Sequence, residues 1–114
     1  MTAGRLRSGV EAAGLIRRAE VAGDFAAVLH KGDPDRGALL IVVRGRGRYV
    51  ACLERSLVAD GRYRWGTAGP GESAPDDELA EFLAKRLRFD PDLWLIELDI
   101  AEPERFIAET TSAG

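Results

Sequence analysis

Two short segments of this chain set aspartates on either side of a proline: Asp33-Pro34-Asp35 within "GDPDRG" and Asp90-Pro91-Asp92 within "FDPDLW". Carboxylates at that spacing could in principle share a proton, as acid–base pairs do. An Asp-x-Asp pair can also begin a calcium loop. The remaining carboxylates of such a loop are missing after Asp35, and turn aspartates ordinarily accept hydrogen bonds from their own backbone. The rest of the inventory is as thin. One His (His30) and one Cys (Cys52) are too few for a zinc or iron–sulfur ligand set. Ser8, Ser56, Ser73 and Ser112 lack the context of a nucleophile elbow, and a catalytic pairing would need His30 to meet one of them or Cys52. Cys52 shares a strand face with Val50, which reads as core. The residues therefore argue against an enzyme, and no metal or cofactor is expected.

A second candidate chemistry is nucleic-acid binding. Arg44, Arg46, Arg48, Arg62 and Arg64 surround two hairpins, with Tyr49, Tyr63 and Trp65 interleaved. Cations that track phosphates plus rings that stack on bases would suit a single strand. Strand alternation counts against it, because Arg62 and Arg64 share one face and Tyr63 and Trp65 the other. The isoelectric point near 5.2 is not that of a dedicated binder. "RGRGR" (44–48) has Gly-x-Gly but neither phosphate-loop pattern, and it leads into a strand rather than a helix.

These residues must be held by elements that the periodicity suggests. Residues 7–24 read as a helix, with Ser8 and Glu11 at capping-box spacing, an apolar face of Val10, Ala12, Ala13, Leu15, Ile16 and Ala19, and Gly23 as its stop. Strands are expected at 24–30 (edge or half-buried), 37–44 (apolar on both faces, hence central) and 47–54. Asp60-Gly61 is a hairpin signal joining 56–59 to 62–65. After a Gly/Pro-rich loop, a second helix should run from about Pro75 to Arg88, with Ser73 and Asp76 at capping-box spacing and Leu79, Phe82, Leu83 and Leu87 inward. Its acids lead and its bases trail, as the helix dipole favours. Pro91 ends that helix, and "LWLIELDI" then places Trp94, Ile96, Leu98 and Ile100 on one face of a last strand.

Size and charge bound the rest. The chain of 114 residues suggests a single domain over 1–114, with 1–7 and 108–114 as frayed termini. Its first 64 residues carry 12 Lys/Arg against 7 Asp/Glu, and residues 65–114 carry 4 against 12, so halves of +5 and −8 can fold over each other. The longest apolar run, 38–43, is too short to cross a bilayer, so no membrane partner is expected. A lone cysteine and the lack of a signal-peptide apolar region suit the cytoplasm.

"FDPDLWLIELD" (89–99) is similar to the strongest motif of the bacterial family catalogued as domain of unknown function 1491. "RLRSGVEAAGLIRRAEVAG" (5–23) and "KGDPDRGALLIVV" (31–43) extend the resemblance over most of the chain. The resemblance implies a class of small protein and no activity.

The expectation is an α+β domain: a mainly antiparallel sheet of four or five strands with two helices packed on one face. Asp90, Asp92 and Trp94 form a corner that could pair with Arg17 and Arg18 of the first helix. Within the fold that is a clamp between elements; across a surface it is a recognition site, since Trp and Arg are typical anchors. The function expected is a non-enzymatic protein-interaction module with an unknown protein partner, a homodimer being compatible with it. Nucleic-acid binding through the Arg-rich hairpins is the alternative.

Overall fold

A computed structural model of the chain describes residues 7–57, 59 and 61–112. Three helices and five strands follow one another: α1 (Ser8–Val21), β1 (Phe25–His30), β2 (Leu39–Gly45), β3 (Arg48–Leu57), β4 (Tyr63–Ala68), α2 (Asp76–Phe89), β5 (Trp94–Asp99) and α3 (Pro103–Ser112). The strands form one sheet in the order β1-β5-β2-β3-β4. All neighbours are antiparallel except β2 and β5, which run parallel. The fold is thus a single α+β domain on a five-stranded, mostly antiparallel sheet.

The sheet centre follows from two apolar segments. Leu39 to Val43 are fully buried on both faces, and β5 is buried from Trp94 to Ile96. Strands that are apolar on both faces need cover on both sides, which is the usual setting of parallel pairs. Short connections favour pairing between strands that follow one another in the chain. Instead β5 inserts between β1 and β2, because α2 gives the chain the length to cross over and place its second doubly apolar strand beside the first.

The helices divide between the faces, a difference from the expected two helices on one face. Ala12, Leu15 and Ala19 of α1 meet Leu39, Ile41, Trp94 and Ile96, with Phe106 and Ile107 of α3 packed beside them. On the other face Leu79, Phe82, Leu83 and Leu87 of α2 cover Leu40, Val42, Cys52 and Leu95. Fully burying one such side chain contributes about 1.5–3 kcal/mol, so both layers hold the sheet. A sheet that is apolar on both sides leaves no other arrangement. Helix α3 was not foreseen. Its second half covers residues 108–112, which the sequence reading gave to a frayed terminus; Pro103 at its first position was the signal, since proline suits a helix start.

Neither capping box forms. The N-cap positions are Arg7 and Pro75, without a side-chain bond. Ser8 is buried and donates its hydroxyl to Gly37 O at 2.6 Å, while Glu11 pairs with Arg55 of β3. Tertiary partners took both groups. The β2–β3 connection turns at Arg46 and Gly47, both at positive φ, and β3 continues through Ser56, so 47–54 and 56–59 belong to one long strand as far as Leu57. Asp60 of the hairpin signal lies outside the described residues, but Gly61 has φ +86°, and Leu57 opposes Tyr63 as a hairpin requires.

Candidate functional site

The two Asp-Pro-Asp segments meet. Asp33 N donates to Asp92 O at 3.0 Å, and the indole Nε1 of Trp94 donates to Asp33 O at 2.7 Å. Trp94 N donates to Ala38 O at 2.8 Å, closing the loop onto the start of β5. The loop is held from the other side by α1, through Ser8 Oγ on Gly37 O and Gly9 N on Pro34 O at 2.8 Å. The approach is so close that a Cβ on Gly32 would lie 2.1 Å from Asp92 O, and one on Gly37 would lie 2.3 Å from the same atom. Only glycine lets backbone pass backbone at that distance.

The first aspartate of each segment has a backbone task. Asp33 Oδ1 accepts from Asp35 N at 2.9 Å and Arg36 N at 2.8 Å, and these bonds hold its carboxyl below the usual aspartate range, the Arg36 bond contributing most. Asp90 Oδ1 accepts from Asp92 N at 3.2 Å, folding the corner between α2 and β5. His30 Nδ1 lies 2.8 Å from Leu93 O. A carbonyl only accepts, so that nitrogen carries the proton. Neither aspartate pair is arranged to share a proton. Among the described residues no three His, Cys, Asp or Glu side chains come together as a metal site.

Trp94 is buried, with 6% of its surface exposed, and lies in the α1 layer. Arg17 and Arg18 are exposed on α1, and no ion pair joins them to Asp90 or Asp92 among the described residues. The clasp abuts the first turn of α1, and the arginines stand nine and ten residues further on, about 14 Å along the axis. The expected corner therefore splits. Asp90, Asp92 and Trp94 form a clamp, whose partner is the loop 32–38 rather than the paired arginines.

The five hairpin arginines split as well. Arg44 is half-buried and donates from Nε to Glu97 Oε2 at 2.7 Å. Next to it Gly47 N donates to Asp99 Oδ2 at 2.9 Å, so the acidic end of β5 neutralises the base of this hairpin. Arg46 and Arg48 are exposed at the β2–β3 turn, whereas Arg62 and Arg64 are exposed near the β3–β4 turn. Successive hairpins open at opposite ends of a sheet. Ser56, opposite Arg64, is eight residues along β3 from Arg48, about 26 Å away. Of the interleaved rings, Tyr49 is buried and donates its hydroxyl to Pro70 O at 2.6 Å, Trp65 packs against the α1 layer, and Tyr63 lies beneath Arg55 at 4.7 Å. The arginines and rings do not form one platform.

A cleft of about 590 Å³ lies between α1 and α3, floored by Trp65, Leu98 and Ile100. Of its charged groups, Glu11 pairs with Arg55, Glu109 pairs with Arg105 at 3.1 Å, and Asp24 Oδ1 accepts from the N–H of Ala101 at 3.2 Å. Neither of these ion pairs spans the cleft: one joins α1 to β3 and the other lies within α3. Cys52 is buried under α2 with Tyr49 Oη 3.5 Å from its sulfur, where burial pushes the thiol above its ordinary range.

Among the described residues, a run of apolar side chains without intramolecular cover lies along β1, expected from the sequence as an edge or half-buried strand and not as a site. β1 is the end of the sheet, and Phe25 is 56%, Val28 43% and Leu29 48% exposed. Val21, at the last turn of α1, is 81% exposed just before it. The signal was readable in "FAAVLH", which is apolar on both faces and carries no charge.

A profile of the family described as "Protein of unknown function (DUF1491)" matches residues 6–108. Solved structures agree. A crystal structure of a DUF1491 family protein from Caulobacter crescentus CB15 is 30% identical, with a TM-score of 0.74, over 83% of this chain and 88% of that one. A nuclear magnetic resonance structure of a DUF1491 family protein from the same organism is 32% identical, with a TM-score of 0.74, over 86% and 88%. The solution structure of protein Atu0922 from A. tumefaciens is 33% identical, with a TM-score of 0.71, over 86% and 88%. No curated protein matches the chain. With profile, identity and fold in accord, this chain belongs to the DUF1491 family.

Proposed function

We propose that the protein is a non-enzymatic interaction module that docks a protein partner along the open edge of β1, in a reducing, cytoplasmic compartment. The observation that carries this reading is the uncovered strand: four large apolar side chains, Val21, Phe25, Val28 and Leu29, surround a sheet edge that ends in solvent. An open edge takes an added strand through main-chain hydrogen bonds and reads it through side-chain contacts on either face. Such an edge in an isolated domain is a hazard that other proteins blunt with charge or proline. The aspartate clasp and the Arg44–Glu97 pair, by contrast, are satisfied internally.

The test is a capture experiment with tagged wild-type chain and a Leu29→Lys variant, each with and without nuclease treatment. The module reading expects a co-purifying protein that survives nuclease and is lost with Leu29→Lys. Capture abolished by nuclease and untouched by Leu29→Lys would instead favour nucleic acid at the Arg46–Arg48 turn, whose binding must also fall steeply with salt.

A further inference from the structure

We infer that the occupant of the β1 edge is a second copy of this chain, paired antiparallel about a twofold axis so that two five-stranded sheets join into one. This rests on the docking reading above and names its partner.

The first argument is charge. Inside β1 there is no charged residue and no proline, but the strand is bracketed by Asp24 on one side and Lys31 on the other. In an antiparallel pair the start of one strand lies opposite the end of its mate. Asp24 of each copy therefore meets Lys31 of the other, twice per dimer. The opposite edge of the sheet is built differently: β4 carries the exposed Arg64 and Gly66, and α3 packs beside it.

The second argument is register. Side chains alternate along a strand, so residues seven apart, as Asp24 and Lys31 are, would normally fall on opposite faces. β1 contains one extra residue. Val28 opposes Ile96 while His30 opposes Leu95, which leaves Leu29 as a bulge. The bulge restores the parity. Ala26 and Val28, opposite Leu98 and Ile96, face the α1 layer; Phe25, Ala27 and His30, opposite Asp99, Glu97 and Leu95, face the α2 side. A twofold axis through Ala27 then sets Ala26 against Val28 on one face and Phe25 against His30 on the other. One step further out it sets Asp24 against Lys31. Every opposed pair shares a face, as antiparallel pairing requires. The exposed Phe25 and Val28 are covered by this arrangement, and α2, which lies over β2, β3 and β5, leaves room for it.

The test is sedimentation of the purified full chain from low to high micromolar concentration. The expected result is a reversible monomer–dimer equilibrium. Ala27→Lys places an ammonium opposite Glu97 of its own sheet, which the fold tolerates, but brings two like charges together at the axis. It should abolish the dimer while leaving the circular dichroism melt unchanged. Lys31→Glu should weaken the dimer at least roughly tenfold by facing Asp24 with a like charge, and combining it with Asp24→Lys should restore most of that loss. A chain that stays monomeric throughout overturns the inference. So does a dimer indifferent to both Ala27→Lys and the charge reversal. A monomer that still captures a nuclease-resistant protein, lost with Leu29→Lys, would overturn self-pairing and leave the docking reading standing with a foreign strand as occupant.

Discussion

Trp94 donates its indole N–H to the backbone carbonyl of Asp33 at 2.7 Å, although the two residues are 61 apart in sequence. The bond ties the strand after the second Asp-Pro-Asp segment to the loop containing the first. It makes the two most distinctive stretches of the chain halves of one clasp, and it removes Trp94 from the list of surface anchors. A tryptophan so placed contributes packing to the α1 layer and gives the Asp33 carbonyl, which also accepts from Gly37 N at 3.2 Å, a second and shorter hydrogen bond.

Truncating that side chain should be severe. Trp94→Ala is expected to cost about 3–5 kcal/mol in urea unfolding, the range for a buried aromatic, which is a large part of a small domain's stability. Trp94→Phe should cost less, because it keeps most of the packing and loses the bond to Asp33. A Trp94→Ala variant that unfolds at the wild-type midpoint would contradict the clasp.

Gly37→Ala gives the same clasp a backbone test. Its Cβ would sit 2.3 Å from Asp92 O, 2.8 Å from Trp94 Cδ1 and 2.9 Å from Asp33 O, none of which can swing away as a flexible side-chain end would. Overpacking against backbone should cost at least about 1–3 kcal/mol. Gly66→Ala, with open space at its Cβ, is the control and should change the denaturation midpoint little.

Asp33 supplies a prediction in pH. Its carboxyl is held low by the N–H groups of Arg36 and Asp35. A folded pKa below the unfolded one, ordinarily about 3.9, means a stabilisation fully present above that value and lost as pH falls through the folded one. A carboxyl-carbon NMR titration should therefore give Asp33 a midpoint below that of an unstructured aspartyl peptide. Coincident midpoints would mean that the loop is open in solution.

Cys52 should be unreactive while the chain is folded. It is buried beneath α2, and burial pushes its thiol upward, so little thiolate is present at neutral pH. Reaction with a coloured disulfide reagent should be slow in buffer and rise to the free-thiol rate in denaturing urea. Rapid stoichiometric reaction in buffer would show that the α2 layer opens readily.

The sequence by itself determined most of the elements, while the division of the helices between the two faces was left to the tertiary structure. The 3.6-residue spacing of Leu79, Leu83 and Leu87 and the two-residue spacing of Trp94, Ile96 and Leu98 are local signals, because a helix or strand must put one stripe or face against a core whatever the core turns out to be. The same holds for the turn at Gly61 and for the corner at Pro91. Tertiary structure decided everything that depends on partners distant in the chain. Ser8 and Glu11 have the spacing of a cap, yet Gly37 and Arg55 took them, since a buried hydroxyl and a half-buried carboxylate bind the best donor or acceptor that folding brings near. Arg17 and Arg18 had no spacing rule to say how far along α1 the clasp would lie. The five hairpin arginines looked clustered because sequence places consecutive turns close together, while a meander sends them to opposite ends of the sheet. The position of β5 between β1 and β2 is the clearest case. Its residues announce a strand that needs cover on both faces, but which neighbours provide it depends on where the α2 crossover returns the chain, and that same choice leaves β1 at the edge with its apolar side chains in solvent.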